Sequence, residues 1–208
     1  MTGESELHVS RRAANKQRLN QRLLEAVERA LAGEGDTTFA ELSIECLLHE
    51  SQVARSTFYY HYADKNALLC ALAEGVIEEF EASAMSWWKP MQPATKQGLA
   101  DATEQMFEIY WRHRTVMAAA VEIAAGDAAM RSRFNRMWTN VVDEVTARIA
   151  EAQRNHRARN VDPARTAAFL VWMTERGLYQ LSRHADRAEI TRLAAVHADI
   201  SWTTLFGD

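Results

Sequence analysis

The chain has 208 residues, 48% of them hydrophobic and 25% charged, with 8 Gly, 3 Pro and a formal net charge of −4. That is the composition of an ordinary folded domain, and it excludes a disulfide-stapled peptide, a collagen-like chain and a disordered one. No run reaches the roughly 18 uncharged apolar residues that mark a membrane helix, and Cys46 and Cys70 are expected to be free thiols, so the chain reads as a cytoplasmic protein with no membrane partner.

Apolar residues recur at helical spacing almost throughout, and no period-two run bounded by turns marks a strand, which makes the class all-α. A first helix is expected from about Asn15 to Ala32, with Leu19, Leu23, Val27 and Leu31 as its stripe and Gly33 and Gly35 ending it. Ser43 is placed to cap a second helix carrying Ile44, Leu47 and Leu48, and a break at Ser51-Gln52 leads into a third that holds Phe58. Asp64 caps a longer fourth helix whose apolar face includes Leu68, Leu69, Leu72, Val76 and Ile77. Pro90 and Pro93 interrupt helix in the stretch from Trp87 to Pro93. Helices of roughly Ala94–His113, Val116–Ala124, Asp127–Arg154, Pro163–Leu181 and Ala188–Leu205 complete the chain. The boundary between two functional halves is drawn at the start of the fourth helix, separating residues 11–65 from 66–208.

Three short helices with a tight turn between the second and third are the layout of a helix-turn-helix, whose third helix enters the major groove of DNA. The segment from Ile44 to Lys65 resembles the DNA-binding signature of the TetR family of regulators, most specifically in Thr57-Phe58-Tyr59-Tyr60-His61-Tyr62 followed by Asp64-Lys65 and Ala67-Leu68-Leu69. Family members usually carry Ala, Gly and Ser where this chain has Leu48, Gln52 and Ala54. A left-handed turn at a residue with a Cβ costs about 1–2 kcal/mol, and a missing cap oxygen costs about 1 kcal/mol. A second match, Phe169 to Tyr179 and Ile200 to Gly207, is similar to the ethionamide-resistance regulator subgroup. That resemblance implies an apolar tunnel in the C-terminal bundle and a homodimer formed by helices eight and nine. Two asparagines of the subgroup's tunnel fall at Val171 and Thr174, so its ligand is not carried over.

Phosphate attraction supplies most DNA affinity and needs Lys and Arg. The first 65 residues hold 8 Lys and Arg against 10 Asp and Glu, a net charge of −2, yet Arg11, Arg12, Lys16, Arg18 and Arg22 follow one another with no acidic residue between. Arg11 and Arg12 read as a free arm that reaches the minor groove. In the recognition helix, Arg55 is able to hold a guanine through two hydrogen bonds. Ser56 and Thr57 share its first turn, and Tyr59, Tyr60 and His61 follow. Three consecutive residues span about 200° of a helix, so the last three cannot all be buried. Arg18 belongs to the basic run that faces the DNA, and by resemblance Ser43, Gln52 and Lys65 complete the phosphate contacts to a double-stranded operator.

All 6 Trp and 6 of 8 Met lie after residue 86, more bulk than one bundle needs to fill its core. Met106, Phe107, Tyr110, Phe134, Trp138, Val141, Val171, Met173, Thr174 and Trp202 are the expected walls of a pocket for a small hydrophobic ligand of drug-like size, with Asn140, Thr174 and Tyr179 as orienting groups. Phe169, Leu170, Trp172, Met173, Ile190, Leu193, Val196 and Ile200 put apolar residues on more than one face of the last two helices, which suits an interface between two chains. No enzyme, cofactor or metal is indicated. Cys46 and His49 lack a second ligand pair, and Cys46 reads as a core residue. The His184-Ala185-Asp186 and His197-Ala198-Asp199 triplets lack an activated nucleophile, and residues two apart on a helix point apart. The sequence therefore reads as a ligand-responsive regulator, a repressor released from a palindromic operator. The alternative is a helical small-molecule binding protein whose altered turn no longer reads DNA.

Overall fold

A computed structural model describes residues 3–32, 38–86 and 94–207, with side chains in the first helix from residue 14 onward. Its elements are α1 (Gly3–Leu31), α2 (Ile44–Ser51), α3 (Arg55–His61), α4 (Lys65–Met85), α5 (Lys96–Arg112), α6 (Arg114–Gly126), α7 (Ala128–Arg154), α8 (Pro163–Leu181) and α9 (Arg187–Leu205). No strand occurs among the described residues. Local chemistry sets most of these limits. Ser43 accepts a hydrogen bond from the Cys46 N–H at 3.1 Å and starts α2, and Asp64 accepts from the Ala67 N–H at 2.7 Å and starts α4. Thr95, Asp127, Asp162 and Asp186 cap α5, α7, α8 and α9 in the same way. Pro163 occupies the first turn of α8, where its missing N–H leaves no bond unmade.

Two expectations are corrected. Helix α1 begins at Gly3, so Arg11 and Arg12 lie within a helix and not on a free arm. No Gly or Pro stands between Glu4 and Ala32, and Glu4 and Glu6 near the N-terminus favour the helix dipole, so nothing in the sequence stops the helix short. The side chains of Arg11 and Arg12, the glycines at 33 and 35, and the proline-bearing stretch 87–93 lie outside the described residues. Cys46 is exposed and Cys70 is buried. Helix α2 buries Leu47, Leu48 and Ser51, and Cys46 sits about 100° round the helix from Leu47.

One continuous apolar cluster runs from Leu19 and Leu23 of α1 through Phe58 and Leu68 to Met117, Trp138 and Val171. The helix-turn-helix and the bundle thus share a core. Helix α1 packs on α2, α4 and α6, α4 also packs on α5 and α7, and α9 lies along α5. A polar tie accompanies this packing: buried His113, between α5 and α6, meets Glu28 of α1 through Nδ1 at 2.5 Å.

Candidate functional site

The α2–α3 turn closes at Gln52, which takes the left-handed conformation (φ 53°, ψ 36°), and its N–H donates to the His49 carbonyl at 3.1 Å. The turn is therefore built with a Cβ in place and carries the strain this implies. A cation from α1 supports it: Arg22 Nη2 donates to the carbonyls of Ser51 at 2.6 Å and Gln52 at 2.7 Å. Ala54 precedes α3 without a side-chain cap, and Leu48 is buried beneath the turn. The three departures from the family pattern leave the helix-turn-helix intact.

Helix α3 is pinned from below. Phe58 is fully buried with its ring edge-on to Tyr59, and buried Tyr62 donates its hydroxyl to Asn20 of α1. These two residues take the inward face, so Arg55, Ser56, Thr57, Tyr59, Tyr60 and His61 are left exposed, Tyr60 at 78%. Arg55 is not idle there. Its Nη1 pairs with Glu45 of α2 at 2.7 Å, and its guanidinium lies 5.5 Å from the centre of the Tyr59 ring. Arg18 is exposed on α1 and donates to Asn15 at 2.9 Å, while Ser43 and Gln52 are exposed beside the turn. Lys65 is the exception among the expected phosphate contacts. Its ammonium donates to the carbonyls of Phe39, Ala40 and Leu42, which occupies all three of its N–H groups and anchors the segment leading into α2.

In the bundle, Met106, Trp138, Val141, Val171 and Thr174 surround a cavity of about 90 Å³, together with His197 and Ser201 of α9. The other expected walls lie elsewhere. Phe107 and Met173 border a separate groove of about 130 Å³ between α8 and α9. Tyr110 and Phe134 are core side chains, Phe134 packed against Trp138, and Trp202 stacks on Phe206 at 4.5 Å. Asn140 is exposed, and Tyr179 has the guanidinium groups of Arg176 and Arg183 within 5.4 Å of its ring centre. The aromatic surplus therefore fills the core, and the space that remains is smaller than the roughly 150 Å³ that admits benzene or the roughly 300 Å³ of a drug-sized site.

His197 is a polar cavity residue that was not among the expected walls. Its Nε2 lies 2.6 Å from Thr174 Oγ1, its ring faces Phe107, and burial lowers its pKa to about 4. The available signal was position: His197 and Ser201 stand four apart on α9, beside the buried stripe of Ile190, Ala194, Ala198 and Leu205. Asp186 and Asp199, which follow the two histidines in sequence, are accounted for as the α9 cap and as an ion partner of Lys96. Among the described residues no group of His, Cys, Asp and Glu could hold a metal ion, and no helix is long and apolar enough to cross a membrane.

No family model matches the chain. It is 23% identical over 150 residues to the HTH-type transcriptional regulator EthR of Mycobacterium tuberculosis, a match spanning 69% of this chain and 68% of that protein. Against EthR of Mycolicibacterium smegmatis it is 23% identical over 127 residues, which covers 60% of this chain and just over half, 56%, of the relative. The crystal structure of PfmR, a TetR family transcriptional regulator from Thermus thermophilus, superposes with a TM-score of 0.64 at 14% identity, covering 88% of this chain and 98% of PfmR. The chain is thus similar in sequence to EthR regulators and shares its fold with solved structures described as TetR-family transcriptional regulators.

Proposed function

We propose that this protein acts as a homodimer in the cytoplasm, binds a palindromic operator through α3, and is released from it by a small apolar ligand. The observation that carries the reading is the division of α3: Phe58 and Tyr62 are buried, while Arg55, Ser56, Thr57, Tyr59, Tyr60 and His61 form an outward row of hydrogen-bonding groups. A packed helix with such a row is suited to base edges and phosphates in the major groove. Exposed Phe169, Trp172, Met173, Leu181, Val196 and Ile200 on α8 and α9 support an isologous four-helix interface. Two recognition helices must then match major grooves about 34–36 Å apart. A ligand that prefers a different spacing weakens DNA binding by its differential affinity, and the operator weakens the ligand by the same factor.

The test is a salt-dependent gel shift on DNA flanking the protein's own gene. Changing Arg11 and Arg12 together to Ala is expected to weaken binding to every sequence and to flatten the salt slope by up to about 2 units. An unchanged slope removes α1 from the interface. No shift on any DNA would favour the rival reading, a helical ligand-binding protein, and a monomer in sedimentation at micromolar concentration would end the spacing mechanism.

A further inference from the structure

On the exposed side of the helix-turn-helix an ion pair joins α2 to α3. Glu45, in the first turn of α2, accepts a 2.7 Å hydrogen bond from Nη1 of Arg55, ten residues on at the start of α3. The two side chains are 63% and 66% exposed, so the pair contributes little to stability. Its geometry is nevertheless fixed from both ends. The backbone N–H of Glu45 itself and then the Arg55 guanidinium hold the Glu45 carboxyl below the usual carboxylate range, which keeps it ionised. On the other side, the Arg55 guanidinium lies 5.5 Å from the centre of the Tyr59 ring, and that ring stands edge-on at 5.2 Å to fully buried Phe58. A chain of contacts thus runs from α2 through Glu45, Arg55 and Tyr59 into the core.

An unpaired surface arginine finds a phosphate on any sequence, whereas one paired with a carboxylate is close to neutral and gains little from phosphates alone. Glu45 engages only Nη1, and among the described residues no hydrogen bond takes up Nε or Nη2. Those two nitrogens point N–H groups side by side from one edge of the guanidinium plane, the arrangement that meets O6 and N7 of a guanine. We propose that Glu45 is a specificity-determining positioning residue, which holds Arg55 back from phosphates and presents its Nε–Nη2 edge to a guanine in the major groove. The inference rests on the reading that α3 binds DNA and supplies the device that makes its first turn selective. Discrimination is gained by weakening every non-specific contact, a repulsive element that favours one sequence.

The test is selection from a random-sequence duplex library with the full chain, beside titration of sheared mixed-sequence DNA. Wild type is expected to enrich a guanine at one position of each half-site, and Arg55→Ala to lose it. Glu45→Ala should lower that preference roughly tenfold, the size of one bidentate base contact. It should also bind mixed-sequence DNA more tightly, with a salt slope steeper by about one unit as Arg55 turns to a phosphate. Glu45→Gln, which keeps an acceptor oxygen, should retain part of the preference, and in an Arg55→Ala background Glu45→Ala should leave base preference unchanged. A guanine preference that survives either single alanine variant, a loss spread evenly over all selected positions, or an effect of Glu45→Ala that persists without Arg55 overturns the assignment and leaves α3 as the reading helix. Failure of the wild type to enrich any sequence overturns the reading of α3 itself, and the role of Glu45 with it.

Discussion

Around the helix-turn-helix, cations and hydroxyls are tied to the backbone: Lys65 to the 39–42 segment, Arg22 to Ser51 and Gln52, and the Ser51 hydroxyl to Leu47 at 2.6 Å. In the bundle, Trp138 and His197 keep polar atoms unpaired beside an apolar void. The first region fixes one geometry, which suits the proposed match to a rigid duplex. The second leaves buried polar atoms unmet in residues that line a void, so it is the less completely satisfied of the two. Because one apolar cluster joins the two, and His113 meets Glu28 across them, a change in the second has a packed route to the first.

The sharpest way to break this contrast is to remove the anchor of α3. Phe58→Ala, at a fully buried position, should lower stability by about 3–5 kcal/mol in urea denaturation. A loss below about 1.5 kcal/mol, no more than deleting a single buried methyl group costs, would mean that α3 is not held by the core.

The bundle has its own signature in pH. His197 in the folded chain titrates near 4, against 6.5 in the unfolded one. Between those values the unfolded chain binds more protons, so stability is full above pH 6.5 and falls as pH drops towards 4. A shift of this size corresponds to roughly 3 kcal/mol. Denaturation of wild type and His197→Phe at pH 7 and pH 4.5 checks it: the variant should lose a clearly smaller fraction of its stability. Equal losses would show that His197 is solvated.

Smaller effects sharpen the first region. Lys65→Met leaves three backbone carbonyls without their ammonium partner and should cost about 2 kcal/mol, with weaker DNA binding following the displaced α2 and not a changed salt slope. A salt slope lower by about one unit, with stability unchanged, would restore Lys65 as a phosphate contact. Gln52→Gly and Ala54→Ser should each stabilise by up to about 1 kcal/mol, by relieving the left-handed turn and by supplying a cap oxygen. Thermal denaturation reads both, and destabilisation by Gln52→Gly would mean that its side chain contributes more than its backbone strain costs.

What could be read from the sequence was what adjacent residues decide. Ser43, Asp64 and Asp162-Pro163 mark helix starts because a cap bonds an N–H two or three residues on, and the α3 row follows from helical phase alone. The cavity was half legible: Met106, Trp138, Val141, Val171 and Thr174 surround it, but their apolar character did not distinguish them from Tyr110 and Phe134, which only fill core. Thr174 with His197, Lys65 with Phe39 and Arg22 with Ser51 join residues 23, 26 and 29 apart, and such pairings depend on how helices dock. The length of α1 was missed because a helix without a capping residue announces no start.

The inward use of Arg22 and Lys65 also bears on how two binding heads would add up. A cation bonded to its own backbone keeps its charge but is not free to contact a phosphate directly, and the first 65 residues carry a net charge of −2. One head alone would therefore grip DNA weakly. In a dimer the second contact becomes intramolecular, and its strength is set by the effective concentration that the first contact imposes. That concentration is high only when both recognition helices meet their grooves together. If the chain works as the proposed dimer, a small error in separation would remove most of the avidity, and the geometry that Lys65 and Arg22 fix in each head would make separation, and not local fit, the variable for a ligand to change.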